Sequence, residues 1–205
     1  MAISLTKGSR INLAKEAPSL KRVRVGLGWK PNETDTGYDY DCDVTAFGLK
    51  IVNDQPRLAG RATDPDFMVF YGNPVSIDGA MVHSGDEKTG STDNSGGKDV
   101  ETVTVDFGKI SSEVQEISFI VTIHDADVRK QNFGQIPKSY IALYNDETGE
   151  LIAKYDLEED FSVETAVQFG SLYKREDGAW AFKAIGAGYQ LGLAAFVTGY
   201  GGVVA

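Results

Sequence analysis

The sequence predicts a mainly β protein, a two-sheet β-sandwich with a few short peripheral helices. Glycine accounts for 23 of the 205 residues, which provides for many tight turns. Between the glycines, β-branched and aromatic residues recur in short alternating runs, as in strands with one buried face. Because 41% of the chain is hydrophobic, it can bury one sizeable core. We therefore expect residues 1–205 to form a single domain.

The alternating runs mark the expected strands. In chain order they are Ile3 to Leu13, Arg22 to Trp29, Tyr40 to Leu49, Phe67 to Tyr71, Val100 to Phe107, Glu116 to His124, Ser139 to Tyr144, Leu151 to Tyr155, Thr165 to Lys174 and Trp180 to Ala184. This many strands indicates two packed sheets, whose connecting loops gather at the two ends. Short helices are expected around Ala126 to Gln131 and from Tyr189 to Thr198, the second ending at Gly199.

The charge balance and the cysteine count narrow the classes of function. With 20 basic and 30 acidic residues, the formal net charge of −10 repels phosphate backbones, so we expect no direct binding of nucleic acid. The lone Cys42 excludes an intramolecular disulfide framework and fits a reducing compartment. Neither an apolar signal region in residues 1–15 nor a bilayer-length apolar stretch is evident. We expect a cytoplasmic protein.

Three aspartates alternate in the run Tyr38-Asp39-Tyr40-Asp41-Cys42-Asp43. On a strand they would share one face about 7 Å apart, where two unit charges repel by about 2 kcal/mol at an effective dielectric of 20. A hard divalent cation relieves this repulsion, and calcium accepts irregular sets of oxygen ligands. Calcium is therefore the first candidate ligand. The alternative is a row of solvated charges on an exposed strand face.

The helix-loop-helix calcium motif does not fit this run. Counted from Asp39, that motif needs glycine at its sixth position and glutamate at its twelfth, where the chain has Val44 and Lys50. More acids collect at strand ends and in the glycine-rich segment Ser84 to Lys98, which we interpret as a long loop. They are Asp64, Asp66, Asp86, Glu87, Asp93, Asp99, Glu101, Asp125 and Asp127. A solvent loop and helix capping by Asp125 or Asp127 are the competing explanations.

Catalytic signatures are scarce. The only histidines are His83 and His124, and the sequence has neither a Gly-x-Ser-x-Gly elbow nor paired cysteines and histidines at metal-binding spacing. His124 next to Asp125 could activate a metal-bound water, which would make a metal-dependent phosphoesterase or small-molecule enzyme the alternative function. A histidine alone at a strand end is more often a hydrogen-bonded structural group.

Several ordered motifs extend over almost the whole chain. They are Ile3-Ser4-Leu5-Thr6-Lys7-Gly8, Leu13-Ala14-Lys15-Glu16-Ala17-Pro18, Val25-Gly26-Leu27-Gly28-Trp29, the aspartate run at 38–43, Asp66-Phe67-Met68-Val69-Phe70-Tyr71, His83-Ser84-Gly85-Asp86, Thr122-Ile123-His124-Asp125-Ala126, Gln131-Asn132-Phe133-Gly134-Gln135, Ala153-Lys154-Tyr155-Asp156-Leu157, Glu164-Thr165-Ala166 and Gly186-Ala187-Gly188-Tyr189. In this order they resemble the TerD tellurium-resistance family, the calcium-binding stress proteins of bacteria.

The resemblance implies a non-enzymatic β-sandwich that binds calcium, with two ions expected, and acts in tellurite and stress resistance. The ligands that it implies are Asp39, Asp41, Asp43, Asp66, Asp86, Asp99, Glu101 and Asp125. It also implies other tellurium-resistance proteins and a membrane protein as partners, which would place the chain in the cytoplasm or at the inner face of the cell membrane. The chain departs from the family pattern at Gly85-Asp86-Glu87, where the family has Gly-Asp-Asn.

Overall fold

A computed structural model describes residues 3–4, 8–16, 20–33, 37–91, 99–157 and 161–204. The strands are β1 (Ile3–Ser4), β2 (Arg10–Ile11), β3 (Arg22–Gly28), β4 (Cys42–Val52), β5 (Gln55–Leu58), β6 (Met68–Val69), β7 (Met81–His83), β8 (Glu101–Asp106), β9 (Glu116–Ile123), β10 (Tyr140–Asn145), β11 (Leu151–Asp156), β12 (Ala166–Lys174) and β13 (Trp180–Tyr189). The described helices are α1 (Leu13–Glu16), α2 (Ala126–Arg129) and α3 (Leu193–Gly199), with a 3-10 turn at Phe133–Gln135.

The strands form two sheets. The six-stranded sheet has the order β1-β11-β10-β3-β8-β7, and the seven-stranded sheet has the order β2-β13-β12-β9-β4-β5, with β6 also paired to β4. The short β1 runs parallel to β11, and the other described strand pairs are antiparallel. The predicted β-sandwich with short peripheral helices is confirmed.

The core lies between the sheets and follows the alternation in the sequence. Val23, Val25 and Leu27 of β3 are fully buried in one cluster with Phe119 and Val121 of β9. A smaller cluster lies on the outer face of the seven-stranded sheet, where α3 and the residue after it cover buried side chains of β4, β5, β6 and β9. Burial at roughly 25 cal/mol per Å² of apolar surface makes these clusters the main source of stability.

The predicted boundaries near both ends of the described chain are wrong. The segment Ile3 to Leu13 is not one strand, because β1 pairs with β11 and β2 pairs with β13 of the opposite sheet, and Leu13 begins α1. Residues 5–7 of that segment lie outside the described residues. The last helix begins at Leu193 rather than Tyr189, because β13 continues to Tyr189 and pairs there with Ala166. Among the described residues, no helix is both long and apolar enough to cross a membrane.

Candidate metal centre

Three carboxylates converge at one end of the sandwich. Asp41, Asp43 and Asp86 each offer one oxygen, and these oxygens all lie within 4.8 Å of one another. Since calcium binds oxygen at about 2.3 to 2.6 Å, two ligands of one ion can be up to about 5 Å apart. The three oxygens therefore fit around a single calcium ion. Among the described residues, no other group of three acidic, histidine or cysteine side chains has this geometry.

The three acids come from two elements that are distant in sequence. Asp43 lies in β4 opposite Thr122 of β9, and Asp41 precedes β4 with its carbonyl accepting the His124 N–H at 2.8 Å. Asp86 belongs to the loop that follows β7, and its side chain is exposed. Asp41 and Asp43 are only 6% and 4% exposed. The sheet thus holds two buried carboxylates, and a loop brings the third to them.

The three clustered carboxylates repel one another when they are charged and no cation balances them. Burial raises the pKa of Asp43 to about 8, and repulsion from Glu101, Asp41 and Asp86 adds to the effect of burial. Two cations offset part of the charge: Arg129 Nη1 lies 3.3 Å from Asp41 Oδ2, and Lys88 Nζ lies 3.3 Å from Asp86 Oδ2. No described cation is paired with Asp43 in the same way, so a bound divalent ion would relieve a repulsion that the chain leaves partly unbalanced.

Glu101 lies next to the cluster with a fully buried side chain. Its Oε2 accepts the Val44 N–H at 3.1 Å, and its Oε1 accepts the Glu87 N–H at 3.2 Å. The His83 ring is also buried, and its Nε2 lies 3.4 Å from Glu101 Oε2. Glu101 is therefore bound to the backbone next to Asp43 and next to Asp86.

The structure places the other four predicted ligands elsewhere. Asp39 is exposed and precedes the strand, which begins at Cys42 rather than Tyr40. The reason is that the backbone carbonyls of residues 38–40 accept bonds from the Gln131 and Trp29 side chains instead of from a neighbouring strand. Asp125 is exposed in a left-handed conformation with φ 50°, and its Oδ2 lies 3.5 Å from His124 Nε2.

Asp66 and Asp99 have cationic partners of their own. Both Asp66 oxygens bind the Arg61 guanidinium, at 3.0 and 2.7 Å, and these bonds lower the pKa of Asp66. Asp99 forms an ion pair with Arg24, and its Oδ1 also accepts the hydroxyls of Tyr140 and Tyr144 at 3.1 and 3.3 Å. Neither aspartate joins the three-carboxylate group.

A pocket of about 310 Å³ opens beside Asp43. Tyr71, His124, Asp125 and Asp127 line it together with the start of α3. The His124 and Tyr71 rings meet edge to face, with centroids 6.4 Å apart. The pocket thus brings His124 to the same concave surface as one of the clustered carboxylates.

Sequence reasoning missed the residues that balance and orient these acids. Arg129 and Lys88 were not singled out, because one basic residue in a helix or a loop carries no local signal of its partner. Glu101 is one of the ligands that the resemblance implies, but its bonds to two backbone segments depend on the packing of two sheets. The Cys42 thiol is buried, as its alternation with Asp41 and Asp43 on a strand would predict.

Comparison with known proteins agrees with this architecture. The chain matches the TerD domain over residues 1–200. It is 44% identical to general stress protein 16U of Bacillus subtilis and 45% identical to the tellurium resistance protein TerD of Serratia marcescens, in both cases over 98% of each chain. The crystal structure of a TerD homologue from Streptomyces coelicolor A3(2) is similar in fold, with a TM-score of 0.66 at 21% identity over 88% of this chain and 98% of that one.

The family match covers nearly the entire sequence, and the full-length relatives carry names taken from stress response and tellurium resistance. The resemblance inferred from the ordered motifs is confirmed. The chain belongs to the TerD family of tellurium-resistance and stress-response proteins.

Proposed function

We propose that this protein binds calcium through Asp41, Asp43 and Asp86 and acts, without catalysis, as a calcium-dependent binding module of the stress response. The observation that carries the proposal is the convergence of three carboxylate oxygens within 4.8 Å, two of them from buried side chains. Buried like charges are costly without a counter-ion, and an all-oxygen donor set is the chemistry that calcium prefers.

The surrounding residues support an ion at this position. The three carboxylates would hold it, and backbone carbonyls of the loop at Asp86 could supply further oxygens because Gly85 adopts a left-handed φ of 110°. A bound ion supplies two positive charges at a fixed point. With the ion bound, Asp43 would lose its proton. The charges of Asp41 and Asp86 would then be balanced by the ion as well as by Arg129 and Lys88.

Such a change in charge would alter the surface that this end of the sandwich presents to a partner. Our proposal includes other tellurium-resistance proteins and a membrane protein as partners, and a location in the cytoplasm or at the inner face of the membrane. The buried, free thiol of Cys42 supports a reducing compartment. The prediction of two ions stays a prediction, and the three-carboxylate group accounts for one of them.

Calorimetry with and without calcium tests the proposal. After chelation, we expect added calcium to raise the Tm far more than magnesium does, since an ion at 1,000 times its Kd adds about 4 kcal/mol. The calcium effect should disappear in Asp41→Asn. The matched control is Asp39→Asn, which removes the same charge two residues away, outside the group, and should keep the effect. Equal responses in both variants would contradict the assignment of the site.

The pocket keeps a metal-dependent phosphoesterase as the second candidate, because it places His124 and Asp43 on one concave surface. If His124 served as the base, His124→Ala would abolish hydrolysis of a chromogenic phosphoester and leave calcium affinity nearly intact. A wild-type protein that shows no hydrolysis above buffer, with calcium or manganese present, would remove this candidate.

A further inference from the structure

Glu101 makes contacts that differ in kind from those of the three clustered acids. Its carboxylate accepts the N–H of Val44, the residue after Asp43, and the N–H of Glu87, the residue after Asp86. One fully buried group therefore binds the backbone beside two of the three carboxylates at the same time.

This link joins elements that no strand pairing connects. Glu101 begins β8 of the six-stranded sheet, whereas Val44 belongs to β4 of the seven-stranded sheet. The base of the loop is fixed to the same strand: Ser84 N–H donates to the Thr102 carbonyl, and Thr102 N–H donates to Ser84 Oγ, both at 2.9 Å. The Asp86 loop and the Asp43 strand are thus both tied to the start of β8.

The buried His83 ring lies beside the Glu101 carboxylate. Its Nδ1 accepts the Gly85 N–H at 3.0 Å, so the ring proton is on Nε2. Nε2 lies 3.4 Å from Glu101 Oε2 without forming a hydrogen bond to it, and it has no hydrogen-bond partner among the described residues. The ring therefore binds the loop backbone at Gly85 and lies against the Glu101 carboxylate.

We propose that Glu101 is a positioning residue of the metal centre: it holds the Asp43 strand and the Asp86 loop in register so that Asp41, Asp43 and Asp86 meet around one cation. The role of the cation rests on the proposed function, whereas the clamp between the two segments does not. The buried His83 ring lies against Glu101 and binds the loop at Gly85.

A ligand and a positioning residue have opposite effects on the chelated protein. A ligand carboxylate repels its neighbours when no ion is bound, so neutralising it leaves stability unchanged or raises it. A positioning carboxylate satisfies buried donors, so neutralising it removes bonds that the fold needs. In Glu101→Gln the amide NH₂ would face one of the two backbone N–H groups, and that donor would lose its acceptor.

The first test compares Tm values in excess chelator at pH 7. We expect Glu101→Gln to lower the Tm by about 5 to 10 °C, since a lost buried bond and its unsatisfied donor are large on the scale of this chain. Asp43→Asn, the matched control, should leave the Tm unchanged or raise it. An unchanged or higher Tm in Glu101→Gln would overturn the proposal.

Amide hydrogen exchange of the wild-type protein supplies a readout that needs no variant to fold. In chelator, the Glu87 amide should exchange at least 10-fold more slowly than the adjacent Lys88 amide, for which the described residues provide no acceptor. Equal rates would show that the clamp does not form. Glu101→Gln should remove the difference.

Calcium titration separates this proposal from the proposed function. Residues that orient metal ligands typically alter affinity 10- to 100-fold, so Glu101→Gln should weaken calcium binding by about that factor without abolishing it. Complete loss of binding at intact loop protection would make Glu101 a ligand and overturn the proposal. If the wild type binds no calcium, the proposed function fails, while the Tm and exchange results still decide whether the clamp exists.

Discussion

The clustered aspartates at the metal centre and the two paired aspartates, Asp66 and Asp99, differ in how the chain balances their charge. Asp66 binds two nitrogens of the Arg61 side chain, and Asp99 pairs with Arg24 and accepts two tyrosine hydroxyls. Among the described residues, the cations paired with Asp41, Asp43 and Asp86 are Arg129 and Lys88, with shortest distances of 3.3 Å. Acids that the fold neutralises are structural, and buried acids that it leaves unbalanced are candidates for an external cation.

The largest expected effect separates the two regions by their response to calcium. In Asp41→Asn/Asp43→Asn the stabilisation by saturating calcium, about 4 kcal/mol at 1,000 times the Kd, should vanish. Asp66→Asn should retain it in full, because Arg61 already occupies that carboxylate. Denaturant unfolding with calcium and with chelator measures both. A calcium response that survives the double variant would place the ion elsewhere.

The next effect concerns Asp99, one of the aspartates that the fold itself neutralises. Asp99 is 6% exposed at its side chain, so Asp99→Ala leaves Arg24 with only Asp146, 3.8 Å away, and removes an acceptor from two tyrosine hydroxyls. Breaking a buried pair in this way should cost about 3 kcal/mol in chelator. The calcium-induced change in stability should equal that of the wild type. Loss of the calcium response here would mean that Asp99 belongs to the metal centre after all.

A glycine next to Asp99 sharpens the same distinction without removing a charge. A Cβ at Gly26 would overlap the Asp99 carboxylate, so Gly26→Ala must displace the ion pair with Arg24. We expect a loss of about 2 kcal/mol in unfolding free energy, as for other overpacked sites. Gly149→Ala serves as a control for strain alone, since its φ is 71° and its Cβ would meet nothing within 4 Å. Gly26 has no positive φ, so its cost should come from the clash.

The smallest effect is a pH dependence of the unfolding free energy. We expect it from Asp43 in the metal centre and not from the regions around Asp66 and Asp99. The folded pKa of Asp43 is about 8, against 3.8 ordinarily, so the folded protein holds a proton that the unfolded chain has released. The resulting stability is complete below the unfolded pKa and is lost as pH rises through 8. Between pH 7 and 9 the chelated protein should lose about 1.4 kcal/mol from this group. Asp43→Asn should lose that much less over the same interval.

The sequence predicted the sandwich because its alternating pattern states which face of each strand is buried. The predicted β3, β8, β9, β10 and β11 therefore agree with the structure to within about two residues at either end. Prediction failed at Ile3 to Leu13, where pairing changes from one sheet to the other, and at Tyr189, where β13 continues beyond its apolar run. Local pattern does not encode which sheet a segment joins.

For the site, the sequence named the acids but not their partners. Asp43 and Asp86 meet only because a loop folds back over β4, and Asp66 and Asp99 are neutralised by Arg61 and Arg24 through the fold. Part of the predicted loop, residues 92–98 with Asp93, lies outside the described residues. Whether a carboxylate has a basic partner depends on tertiary structure. The sequence alone therefore does not show which acids are left to bind a cation.

Equilibrium dialysis with radioactive calcium tests the central claim most directly, because it counts bound ions without relying on stability. We expect the wild type to bind calcium with a Kd of about 10⁻⁷ to 10⁻⁵ M, the range of calcium sensors. Asp43→Asn should show no binding in that concentration range, because it removes one of the three ligand carboxylates, and Asp66→Asn should bind as the wild type does. Absence of binding by the wild type, or equal losses in Asp43→Asn and Asp66→Asn, would contradict the account.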